Sequence, residues 1–212
     1  MIIPVIVFTA TALALTLVFD QRNWRPGEWV AKPLASAGFI AVALLSDASS
    51  TAYGQAILAA LALSFVGDVA LIPRGRGGSF LLGLGAFLLG HVAFALAFVI
   101  RGIGATHLAL AGAASIGAAI VVGRWLLPTV KGGMRRPVIA YIVVITAMVA
   151  LSVAVMGGPD PHALIPAAAL VFWMSDLCVA RNRFVAPGFT NRAVGLPLYY
   201  AAQVAFALTP AL

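Results

Sequence analysis

Apolar runs of membrane-spanning length, parted by short basic or Gly/Pro-rich breaks, constrain this chain more than any other feature. They cover 2–19, 30–46, 54–72, 79–100, 106–127, 136–156, 162–180 and 193–210. A helix of about 20 apolar residues crosses the hydrocarbon core of a bilayer. Lipid offers no partner to an open backbone, so each run is expected to be a helix. The 212-residue chain is 63% hydrophobic and 9% charged, against about 25% charged in soluble domains. It lacks the polar surface to dissolve. The expected fold is therefore all-α: a polytopic membrane helix bundle of eight spans, one domain over 1–212. No basic residue precedes the first run and no clear small-x-small cleavage site precedes Asp20, so that run is expected to be a retained span.

The net charge is +7, and its distribution speaks for orientation rather than for nucleic acid. Arg22, Arg25, Lys32, Arg74, Arg76, Arg124, Lys131, Arg135, Arg136, Arg181, Arg183 and Arg192 follow or flank odd-numbered spans, whereas Arg101 alone lies at the other end. Basic loops stay in the cytoplasm, so both termini are expected outside it. The expected location is a bacterial cytoplasmic (inner) membrane. The single cysteine, Cys178, excludes an internal disulfide and a cysteine metal cluster.

Two acidic residues then stand out. "SFVGDVALIP" places Asp68, and "FWMSDLCVAR" places Asp176, inside apolar runs about five residues before their ends. Both spans run toward the basic loops, which puts each carboxyl ~7 Å from that end at 1.5 Å per residue. On spans running the other way, Tyr199 and Tyr200 lie ~10–12 Å deep, Gln203 ~16 Å and His91 ~18 Å. Ser64 shares a helical face with Asp68 and Ser175 with Asp176, and Lys32 stands near the same end. A charge facing lipid is costly, so these groups are expected to turn inward around a polar pocket. Each has a plainer reading. An Asp near a helix end pairs with Arg74 or Arg181, His91 packs, the tyrosines anchor an interface, and Lys32 only orients. His107 and His162 begin spans at the far end and are expected to have no catalytic role. No metal site is expected, since no HExxH or comparable spacing occurs, and no GxxxxGK[ST] or GxSxG motif marks a phosphate loop or a nucleophile. "GRGG" at 75–78 reads as a turn.

Taken in order, "KPL" at 32–34, "LSFVGD" at 63–68, "GLGAFLLGH" at 83–91, "SD" at 175–176 and "YYAAQ" at 199–203 resemble the YhhN family of lysoplasmalogenase-like membrane proteins. The resemblance implies an eight-helix hydrolase without a cofactor. It would cleave the vinyl ether of a lysoplasmalogen to a fatty aldehyde and a glycerophospho-base. Vinyl ethers hydrolyse through protonation of the β-carbon, then addition of water to the oxocarbenium ion. That needs a proton donor, a carboxylate and a held water, which Asp68 and Asp176 can supply in either order. Tyr199, Tyr200, Gln203 and His91 are candidates to orient water or the ether oxygen. Lys32 and loop arginines are candidates for the lysophospholipid phosphate, with Ser64 and Ser175 as further substrate contacts. Intramembrane Asp and His residues also serve proton-coupled transporters. A lipid-binding protein without turnover is the remaining alternative.

Overall fold

In a computed structural model describing residues 1–73 and 77–212, the helices form where apolarity and local capping agree. They are α1 (Ile2–Gln21), α2 (Arg25–Leu45), α3 (Ala52–Ala70), α4 (Gly77–Arg101), α5 (Ala105–Leu126), α6 (Arg135–Ala154), α7 (Leu164–Ala180) and α8 (Phe189–Leu208). The expectations resting on Arg74 and Arg76, and part of the 75–78 turn, fall outside the described residues. Thr51 caps α3 by accepting a hydrogen bond from the Gly54 amide. Pro26 at the head of α2 carries that helix further back than its apolar run. A single π-turn, Arg181–Val185, prolongs α7.

Seven of the eight helices are long and apolar enough to cross a membrane; α8 is not among them. The eighth span therefore needs a correction of kind. It carries Asn191, Arg192, Tyr199, Tyr200 and Gln203, and it hides most of that polarity by packing against α7, α2, α1 and α3. Its place in the bundle follows from burial against protein, not from affinity for lipid. The other helices define an integral membrane protein.

Neighbours in sequence pack as four hairpins, α1–α2, α3–α4, α5–α6 and α7–α8, and the core lies among α2, α3, α4, α6, α7 and α8. Helix α1 leans on α2 and α8, while α5 packs chiefly on α6 and stays exposed along its apolar stretch. Phe94, Phe98 and Phe206 are fully buried with ring centroids 4.3–6.4 Å apart, closing the half of the bundle nearer the termini. At that end Arg101 pairs with Asp160 at 2.9 Å and donates to the Thr209 carbonyl.

The α3–α4 crossing is set by glycine. A Cβ on Gly67 would stand 2.6 Å from the Phe87 ring, and one on Gly83 would stand 2.6 Å from Leu71. Small residues at these points let the two backbones approach, which brings Asp68 beside the face of α4 that carries Phe87 and His91.

Candidate active site

Helix α3 delivers Asp68 into a nest of donors. The Lys32 ammonium lies 3.1 Å from Oδ1 and also donates to the Asp68 carbonyl at 2.9 Å. Ser36 Oγ and the Tyr199 hydroxyl reach Oδ2 at 2.7 and 2.6 Å. Tyr200 meets Ser36 Oγ at 2.8 Å and the Lys32 carbonyl at 3.3 Å. Lys32 and Ser36 are one turn apart on α2, and Tyr199 and Tyr200 are adjacent on α8, so three helices close on one carboxyl. A cation and two hydroxyls therefore converge on this carboxyl.

Asp176 keeps different company. The Tyr141 hydroxyl of α6 donates to Oδ2 at 2.7 Å, and His91 Nε2 stands 3.4 Å from the same oxygen. His91 Nδ1 lies 2.6 Å from the Phe87 carbonyl, which can only accept, so Nδ1 carries hydrogen. Nε2 stands opposite the Asp176 carboxyl without a hydrogen bond to it, and no lysine or arginine pairs with Asp176 among the described residues. The Asp176 side chain is 15% exposed against 2% for Asp68. It is the carboxyl more open to the site.

Both carboxyls line one cavity of about 360 Å³, which opens between the α1–α2, α3–α4 and α7–α8 connections. Its wall is polar in one part, with Lys32, Arg183, Asn191 and Arg192, and apolar in another, with Leu71, Phe80, Phe87 and Val179. Arg192 is paired with Asp20 at 2.6 Å, and Arg25 with Glu28 at 2.9 Å. A second, apolar lobe of about 70 Å³ adjoins it between α4, α5, α6 and α7, sharing Leu71, Phe80, Phe87, Asp176 and Val179. Asp176 thus stands at the joint between a polar basin and an apolar lobe.

Of the residues expected from sequence, Asp68, Asp176, Tyr199, Lys32 and Ser175 line the main cavity. Ser175 spends its hydroxyl on the Gly195 carbonyl at 2.9 Å, tying α7 to α8. His91, Tyr200, Gln203 and Ser64 stand behind the wall, all buried. Gln203 lies beside Tyr199. Its amide atoms, Ser64 Oγ and His91 Nε2 have no hydrogen-bond partner among the described residues. Lys32 is not a surface charge: it sits in the third turn of α2, its side chain 12% exposed. Asp176 does not pair with Arg181, which bonds Asn191 instead. Ser36 and Tyr141 were missed. Each carried a faint signal, as a hydroxyl one turn after Lys32 and as a lone tyrosine in the apolar run after Arg135–Arg136.

A membrane helix bundle with one buried carboxyl paired to a lysine and a second, partly exposed carboxyl beside a histidine, both on one cavity, is the class of protein that fold and site define. The YhhN family model matches residues 27–209, and the chain belongs to that family. No solved structure matches it.

Proposed function

We propose that this protein hydrolyses the vinyl ether of an alkenyl lysophospholipid, releasing a fatty aldehyde and a glycerophospho-base. The observation that carries the reading is the two-part cavity with Asp176 at its joint. A lysolipid is divided in the same way, a phosphate-bearing head and one hydrocarbon chain meeting at the reactive linkage. Lys32, Arg183 and Arg192 stand where the phosphate would lie, and the apolar lobe where the first carbons of the chain would lie.

In this reading Asp176, with His91 behind it, gives its proton to the β-carbon of the alkenyl group. Asp68, paired with Lys32 and bonded by Ser36 and Tyr199, stabilises the oxocarbenium ion. Water adds to the carbon bound to oxygen, and its spare proton returns to the Asp176–His91 pair. The hemiacetal then collapses to aldehyde and free hydroxyl, with one water consumed. Tyr199 and the unpaired Gln203 amide are placed to orient groups near Asp68. A nucleophile is not required, unlike for an acyl ester.

The experiment feeds purified protein alkenyl, alkyl and acyl lysolipids in deuterated water. Cleavage of the alkenyl lipid is expected, with deuterium at the carbon next to the aldehyde and activity preserved through chelation. Equal cleavage of the acyl lipid, or complete loss on chelation, would sink the mechanism. A proton-coupled solute flux abolished by Asp68→Asn, without any lipid cleavage, would favour a transporter. The aromatic floor of Phe94, Phe98 and Phe206 beyond the site speaks against a through path.

A further inference from the structure

The apolar lobe beside Asp176 is too small for the chain that the proposed substrate carries. At about 70 Å³ it falls below the roughly 150 Å³ cavity that takes one benzene ring. A long hydrocarbon chain anchored at Asp176 fills the lobe with its first few carbons and has to leave it.

The wall of the lobe indicates where. Ala119 of α5 and Ile142 and Thr146 of α6 line the lobe on one side, and the same three residues line an open groove on the outer face of the α5–α6 hairpin. That groove is about 1220 Å³, bordered by Gly112, Ile116, Val143 and Ala147. Only the α5–α6 seam parts the two spaces. Helix α5 is the least secured wall of the bundle: its buried side chains are Val122 and Leu126, both near its basic end. At that end the groove carries Arg124 and Arg135, both exposed, and no carboxylate pairs with either among the described residues.

We propose that the α5–α6 groove is the subsite for the distal part of the substrate's hydrocarbon chain, which threads the seam at Ala119, Ile142 and Thr146 to reach the bilayer. This inference rests on the lysolipid reading above. The chain stays in an apolar setting along its whole length, and the bound lipid need not be swallowed by the protein. The aldehyde, which has no head group, leaves by the same seam. Arg124 and Arg135 hold phosphate at the membrane surface as lipid arrives.

The test uses alkyl-ether lysophospholipids, which the enzyme would not cleave, with a photoactivatable diazirine at the chain terminus. Labelled peptides are mapped by mass spectrometry. A long-chain probe is expected to label the groove around Gly112, Ile116, Val143 and Ala147. A short-chain probe is expected to label the lobe around Val122 and Ile145. Ala119→Trp should cut the groove labelling about tenfold, in line with an overfilled packing site. Its melting temperature in detergent should stay near that of the wild type, which shows that the variant folds. Long-chain label on another face of the bundle, groove labelling indifferent to Ala119→Trp, or no labelling at all would overturn the subsite. Groove labelling as expected without cleavage of any alkenyl lipid would leave the subsite standing and bring down the proposed reaction alone.

Discussion

Asp68 and Asp176 line one cavity from α3 and α7, yet their partners give them opposite liabilities. Removing the charge of Asp68 strands Lys32, a cation with little access to water. Breaking a buried pair in this manner costs about 3–5 kcal/mol. Asp68→Asn should therefore lower both thermal stability and turnover. Asp176→Asn strands no cation and loses little beyond its hydrogen bonds, about 1–2 kcal/mol. It should melt near the wild-type temperature while losing ~10²-fold or more in turnover, as for a lost general acid. Melting curves in detergent beside initial rates decide it. Equal destabilisation of the two variants would contradict the assignment of roles. Tyr141→Phe removes one donor to Asp176 and should slow the reaction ~10-fold while leaving melting nearly unchanged.

The two carboxyls were visible in sequence because an acid inside an apolar run is expensive and so informative. Their separate partners were not. Lys32 reads as a phosphate contact or an orientation charge, not as the partner of Asp68, and Ser36 and Tyr141 are ordinary residues whose hydroxyls gain meaning only when a carboxylate arrives from another helix. Hydrogen bonds that span more than a hundred positions, such as Tyr199 to Asp68, leave no local periodicity to read.

Among elements, the α3–α4 crossing carries most of the site's geometry. Gly67 lies under the Phe87 ring, the Phe87 carbonyl holds His91, and the ring stands 5.7 Å from that of Tyr199. Gly67→Ala forces that ring to move, and an overpacked core position costs about 1–3 kcal/mol. The expected result is a lower melting temperature together with a fall in turnover beyond that of Gly85→Ala. Gly85 serves as the control, since a Cβ there meets nothing within 4 Å. Similar behaviour of the two variants would show that the crossing tolerates a methyl group. The helices themselves were legible: the seven apolar ones agree with their runs to within a few residues, except that α2 starts earlier behind Pro26. What apolarity could not reveal is that α5 stands on the outside and α8 within. Helix α5, rich in Gly and Ala, and α8, rich in polar groups, sit where their partners put them.

At the scale of the molecule, ten of the eleven lysines and arginines among the described residues belong to one end. The exception, Arg101, is matched by Asp160, so the opposite end presents little net positive charge. We expect a C-terminal reporter to read outside the cytoplasm and a reporter in the 128–135 loop to read inside. The reverse pattern would place the cavity mouth on the other side of the membrane and leave its chemistry as described. The location of the mouth matters for supply. In the expected orientation, the proposed lipid would come from the cytoplasmic leaflet.

The polarity of α8 has a bearing on how the protein is made. Helices α1 to α7 emerge from the ribosome first and are apolar enough to partition into lipid one at a time. Helix α8 follows them and is not, so it settles only where finished neighbours offer a polar berth. Tyr199, Tyr200 and Gln203 come with it. An incomplete chain therefore holds Asp68 and Lys32 in the bilayer without the tyrosine hydroxyls that complete their surroundings, and the site is assembled only as the last helix docks.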